Sequence, residues 1–162
     1  MGYEKQTPML QTLFTILVIV QFLVVAVHDL VDIPGWTYGR QVRAAIGPFK
    51  TVVGTLINAI FPGLAAAFAI QYWHRPAPSY VLNYWVIYCG ITMFGAITMW
   101  WIPYFRGTDE KTKELYTKMY AGTWQVLPAH GDNPRPNVLH LCFHALGLTS
   151  LTLAVALRFG LA

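Results

Sequence analysis

Residues 9–28 read MLQTLFTILVIVQFLVVAVH, an apolar run as long as the helix that crosses a lipid bilayer. A transmembrane helix needs about 20 mostly apolar residues, because the hydrocarbon core is about 30 Å thick. Three further runs of this kind follow, at residues 51–72, 80–104 and 138–160. The sequence therefore predicts an all-α integral membrane protein, a bundle of four transmembrane helices that forms a single domain over residues 1–162.

The composition of the chain also indicates a membrane environment. Hydrophobic residues make up 56% and charged residues only 11%, whereas soluble domains carry about 25% charged residues. A secretory signal is the alternative interpretation of the first run. The run is longer than the roughly 7–15 apolar residues of a signal core, and His28-Asp29 follows it in place of a cleavage site. We therefore expect residues 9–28 to stay in the mature protein as a helix.

Four crossings place both termini on one face of the membrane, side A, together with the turn of residues 73–79. The loops of residues 29–50 and 105–137 lie on the opposite face, side B. Lys and Arg concentrate in cytoplasmic loops. Side A carries Lys5, Arg75 and Arg158, and side B carries Arg40, Arg43, Lys50, Arg106, Lys111, Lys113, Lys118 and Arg135. This distribution predicts that side B is cytoplasmic, in a cytoplasmic (inner) membrane with both termini outside.

The side B loops contain patterns of short helices that lie in the membrane interface. In the second loop, Thr108 can cap a helix over about residues 109–121, whose apolar side chains share one face. The first loop can hold a shorter helix over about residues 37–46. Asn137 can cap the fourth transmembrane helix. We expect these loop helices to connect the spans rather than to recognise a partner.

The end of the third span carries aromatic residues and a proline. Trp100 and Trp101 have the position of an interfacial aromatic belt, which anchors a helix at the depth of the lipid headgroups. Ile102-Pro103 is predicted to mark the end of the helix, because proline lacks the N–H that a helix interior requires.

Polar side chains of three spans fall at one depth in the side B half. At about 1.5 Å per residue, Gln21, Asn58 and His144 each lie on the order of 10 Å inside the side B boundary. A polar group without a partner costs several kcal/mol in hydrocarbon, so these groups should face the bundle interior and meet. For Gln21 and Asn58, hydrogen bonds that only join helices are the favoured interpretation, and a binding site is the alternative.

Histidines make the same region a candidate site. His140 and His144 are one helical turn apart and therefore project from one face. If the first helix continues far enough, Gln21, His28 and Asp32 also share a face. Three histidines can hold a metal ion with Asp32 or Asp29, either as a further ligand or as the acceptor that orients an imidazole, and each histidine can ligate a haem or another tetrapyrrole pigment. A hydrogen-bonded or proton-handling pair is the alternative, and the segment HLCFH lacks the glutamate of a zinc-protease motif.

The function suggested by these features is binding rather than a named reaction. The sequence has no glycine-rich phosphate loop, no Cys-x-x-Cys and no haem-attachment motif, and no basic cluster that indicates nucleic acid. We expect a non-enzymatic subunit or binding component of a membrane assembly, with the bilayer and other membrane subunits as partners and a haem, pigment or metal as cofactor. The alternative is a small membrane enzyme or carrier for a lipid or isoprenoid substrate. Its pocket would lie near the cytoplasmic face and be lined by the histidines, Gln21, Asp32 and Asn58.

Overall fold

The structure is a computed structural model that describes the backbone of residues 3–161 and the side chains of residues 8–161. The side chain of Lys5, assigned above to side A, lies outside this part. The helices are α1 (Tyr3–Val27), α2 (Gly39–Ile46), α3 (Pro48–Gln71), α4 (Ser79–Ala96), α5 (Ile102–Arg106), α6 (Glu110–Met119) and α7 (Val138–Phe159). A π-helix (Ile97–Trp101) joins α4 to α5, and two short strands, β1 (Asp32–Ile33) and β2 (Thr37–Tyr38), pair in antiparallel fashion.

The predicted all-α bundle with four transmembrane helices is confirmed. Within the described residues, four helical segments are long and apolar enough to cross a membrane, Pro8–Val27, Pro48–Gln71, Ser79–Arg106 and Val138–Phe159. Each begins and ends within one helical turn of its predicted limits. Both short helices predicted in the side B loops are also present, as α2 and α6. Asp109, rather than the predicted Thr108, caps α6, because its Oδ1 accepts the backbone N–H of Thr112 at 3.0 Å.

The four long helices are arranged around the bundle in the order α3, α1, α7, α4. At the centre, the rings of Phe14 and Trp85 lie 4.7 Å apart, and both side chains are fully buried. Ala65 and Ala69 of α3 are also fully buried, so small side chains permit α3 to approach its neighbours closely. Lipid tails are as apolar as these side chains, so burial away from lipid gives little driving force for helix association. Close van der Waals packing therefore holds the helices together in a bilayer.

A buried hydrogen-bond network joins three helices near the middle of the bundle. Nε2 of Gln21 on α1 donates to Oγ of Ser150 on α7 at 2.5 Å. Oε1 of the same side chain accepts from the hydroxyl of Tyr88 on α4 at 3.3 Å. Such bonds contribute about 0.6 kcal/mol each in measured membrane proteins, but an unpaired amide at this depth would cost more. Gln21 thus has the helix-joining role that its sequence position favoured.

The third span does not end at Pro103. The chain passes through the π-helix and continues as α5 to Arg106. Proline cannot donate to the carbonyl of Met99, its α-helical acceptor, and the hydroxyl of Tyr116 on α6 donates to that carbonyl at 2.7 Å. The helix therefore tolerates the proline because a neighbouring element supplies the missing donor.

The two side B loops bind each other and form a layer over that end of the bundle. The backbone N–H of Trp124 donates to the carbonyl of Gly35 at 2.6 Å, and the carbonyl of Trp124 accepts from Val138 at 2.9 Å. Nδ2 of Asn137 donates to the carbonyl of Trp36 at 3.3 Å. The start of α7 is therefore tied to both loops.

Candidate functional site

A cleft of about 460 Å³ lies in the side B half of the bundle. Its walls come from α3 and from α4 with the π-helix, and its floor comes from α1 and α7. Most of the lining is apolar, with Ile57, Phe61, Ile91, Met99 and Phe143 among its side chains. This volume falls in the range of about 300–1,000 Å³ that is typical of small-molecule sites.

The cleft opens sideways, between α3 and α4. These helices contact each other toward side A, where the rings of Phe68 and Tyr84 lie 5.5 Å apart. Toward side B they form opposite walls of the cleft, and Ile57 on one wall and Ile91 on the other are largely exposed. In a bilayer such exposed apolar side chains meet acyl chains, so the opening faces the lipid.

The structure brings all three predicted histidines together at the side B end of this cleft. His28, His140 and His144 all belong to its lining. The ring centroids of His28 and His140 lie 6.2 Å apart, and those of His140 and His144 lie 6.3 Å apart. Asn58 also lines the cleft, from the α3 wall.

His140 is held by the residue that caps its helix. Oδ1 of the fully buried Asn137 accepts the backbone N–H of His140 at 3.0 Å, so the predicted cap is confirmed. The same oxygen lies 2.7 Å from Nδ1 of His140. On the other side, the ring of Trp100 packs against the imidazole with its centroid 3.9 Å away. The imidazole is therefore fixed in orientation as well as in position.

His144 is the polar side chain of the cleft with an unmet hydrogen bond. It is only 6% exposed, and its Nδ1 has no hydrogen-bond partner. A buried polar atom left in this state costs about 1–3 kcal/mol.

His28 interacts with an acidic neighbour. Its Nδ1 lies 3.0 Å from the carbonyl of Val24 and therefore carries a proton, since a carbonyl only accepts. Its Nε2 lies 3.2 Å from Oδ1 of Asp29. Burial, and then the charge of Asp29, raise the pKa of the nearby Tyr120 phenol, which stays neutral at physiological pH.

Asp32 and Gln21 do not line the cleft, which corrects the predicted pocket. Helix α1 ends at Val27, so the face shared by Gln21 and His28 does not extend to Asp32. Oδ2 of Asp32 instead pairs with Nε of Arg40 at 2.5 Å, and its Oδ1 accepts the backbone N–H of Arg40 at 3.1 Å. These contacts with Arg40 lower the pKa of the carboxyl group.

The predicted ligand set of three histidines and Asp32 is not assembled. Within the described residues, no group of three or more His, Cys, Asp or Glu side chains is arranged to hold a metal ion. Asp32 forms an ion pair with Arg40 instead, and its carboxylate is therefore missing from the predicted ligand set. Ligation of a haem or another pigment by His28, His140 or His144 stays a prediction.

Trp100 is the lining residue whose role the sequence did not indicate. Its position predicted an interfacial anchor, but the side chain is only 8% exposed and packs against His140. It lies in the π-helix that precedes Pro103, and π-helical turns are frequent at functional sites. A tryptophan shortly before a proline within a span was the available signal, although the π-helical geometry itself has no sequence pattern.

Comparison with known proteins identifies no relative of this chain. No protein-family model, curated protein or solved structure matches the chain.

Proposed function

We propose that this protein is a non-enzymatic binding component of a membrane, which holds an amphipathic, lipid-like molecule in the cleft between α3 and α4. The apolar part of the ligand lies between the two walls, and its polar group lies at the histidines. The convergence of His28, His140 and His144 at one end of a mostly apolar cleft is the observation that supports this function best.

The shape of the cleft supports a ligand that arrives from the bilayer. Its opening faces the lipid, and largely exposed residues of its lining such as Ile57, Phe61 and Ile91 are apolar. A molecule dissolved in the membrane can therefore enter along a mostly apolar surface. Polar groups that converge at one end of an apolar pocket are typical of sites that orient a bound molecule.

Gly95 gives a direct test of this function. It lines the cleft, and a Cβ at this position meets no atom within 4 Å, so a larger side chain here begins in open space and reduces the volume of the cleft. Gly90, on the same helix, also has open space around a Cβ but does not line the cleft. We expect Gly95→Leu to reduce the amount of co-purified ligand by about tenfold, which corresponds to about 1.4 kcal/mol, and Gly90→Leu to leave it unchanged.

The measurement is mass spectrometry of the organic extract of gently purified protein, with an absorption spectrum of each sample. A lipid-like molecule that Gly95→Leu depletes and Gly90→Leu retains supports the proposal. A Soret band in the unmodified protein would instead identify a tetrapyrrole, which the three clustered imidazoles favour as the second candidate occupant. Equal ligand content in the two variants would show that the cleft is not the site.

The orientation in the membrane is part of this proposal. Eight of the eleven basic residues lie in the side B loops, which favours a cytoplasmic side B in an inner membrane and external termini. The histidine end of the cleft then lies near the cytoplasmic face, where other membrane subunits can contact the loop layer.

A labelling experiment tests this orientation. We expect a cysteine introduced at Lys111 to react with a membrane-impermeant maleimide only after the cells are opened. Labelling in intact cells would show the opposite orientation.

A further inference from the structure

The hydrogen bonds around His140 determine which of its ring nitrogens is a hydrogen-bond acceptor. Nδ2 of Asn137 donates to the carbonyl of Trp36, so Oδ1 is the atom that faces the backbone N–H and Nδ1 of His140. An amide oxygen only accepts, and Nδ1 therefore carries the proton. In the neutral ring, which a membrane interior favours, Nε2 then has a free lone pair. No partner for Nε2 occurs within residues 8–161.

A hydroxyl group matches this end of the cleft better than a carbonyl group does. The ring of His144 lies 6.3 Å from that of His140, and a neutral imidazole offers one N–H and one lone pair. A hydroxyl both donates and accepts, so a single oxygen placed between the rings can donate to Nε2 of His140 and also bond His144. The carbonyl of a ketone, an ester or a quinone only accepts and would leave Nε2 of His140 unpaired.

The charges around the cleft exclude an anionic group. None of the described residues that line it is Lys or Arg. His28 is already paired with Asp29 at 3.2 Å. A phosphate or a carboxylate would thus be buried without a counter-charge, beside an aspartate that repels it.

We infer that the ligand is a neutral alcohol with a long or polycyclic apolar body, whose hydroxyl donates to Nε2 of His140. This inference rests on the proposed binding function of the cleft and adds the chemical class of the ligand. The cleft then selects among membrane molecules by the group at their polar end, since its apolar walls accept any flexible chain.

The test compares three probes that share one isoprenoid chain, namely geranylgeraniol, its carboxylic acid and its monophosphate. Binding to the full chain in nanodiscs is measured by competition with tritiated geranylgeraniol, at equal mole fraction of each probe in the lipid. We expect the alcohol to bind at least about tenfold more tightly than either anion. An acid or a phosphate that binds as tightly as the alcohol overturns the inference.

Two variants test whether the histidines cause this preference. His140→Phe keeps an aromatic ring against Trp100 but removes Nε2, and we expect it to abolish the preference for the alcohol. His144→Leu removes the second ring and should weaken binding of the alcohol by about tenfold. His74→Phe, in the exposed side A turn, is the matched control and should behave like the unmodified protein. An undiminished preference in both cleft variants overturns the inference.

The failure of this inference is distinguishable from failure of the binding function itself. If geranylgeraniol does not bind, but another lipid co-purifies and Gly95→Leu depletes it, the hydroxyl assignment is wrong and the binding function stands. If Gly95→Leu leaves the co-purified lipid unchanged, the cleft is not a binding site and both proposals fall.

Discussion

Replacing Asn137 with alanine is expected to lower the free energy of unfolding by about 3 kcal/mol and to weaken ligand binding at the same time. Loss of the helix cap costs about 1 kcal/mol. The carbonyl of Trp36 and the Nδ1–H of His140 then also lose their partner, and each buried unpaired group costs about 1–3 kcal/mol. Because Asn137 is fully buried, water does not readily replace it.

Thermal or denaturant unfolding in detergent micelles measures this effect, with ligand retention as the second readout. Asn83→Ala is the control, because Oδ1 of Asn83 accepts a hydrogen bond only from the side chain of Arg158, in an exposed pair. Its removal should change the stability by less than about 0.5 kcal/mol. A comparable loss of stability in the two variants would mean that Asn137 does not organise this end of the bundle.

Replacing Gly35 with alanine is expected to destabilise the protein by about 3 kcal/mol or more. The backbone at Gly35 has a φ of +78°, which costs an L-residue roughly 1–2 kcal/mol. A Cβ there would also lie 2.2 Å from the ring of Trp124, so the indole must move. That movement breaks the loop layer, because the backbone of Trp124 bonds both Gly35 and Val138.

Gly131→Ala separates the two causes of this effect. Gly131 has a φ of +60°, and a Cβ there meets no atom within 4 Å. This variant should therefore show only the backbone cost of roughly 1–2 kcal/mol. Unfolding free energies give the difference between the variants, and limited proteolysis shows whether the side B loops have opened. Equal losses would show that the indole relaxes without cost.

Polar side chains that lie at the same depth in the bundle have two different roles. Gln21 finds Ser150 and Tyr88 on other helices and is satisfied within the protein. His144 is also buried, but its Nδ1 has no partner. Gln21 is paired across helices and holds the bundle together, whereas His144 lies with His28 and His140 in the lining of the cleft.

The four spans and the position of the histidines toward side B could be predicted from local sequence. Runs of apolar residues must form helices in a bilayer, because a backbone in hydrocarbon has to satisfy its own hydrogen bonds. The one-turn spacing of His140 and His144 placed them on one face for the same local reason. The inward position of Trp100 could not be predicted, because it depends on a π-helix that Tyr116 of another element helps to stabilise.

The amino-acid sequence by itself determined the four transmembrane helices, their approximate limits and the shared face of His140 and His144, since these depend on interactions between neighbours in the chain and the bilayer. Only the tertiary structure decided that Asp32 pairs with Arg40, that Gln21 joins helices and that α3 and α4 leave a cleft between them. The physical reason is that a polar side chain takes the best partner within reach, and for Gln21 that partner lies on another helix.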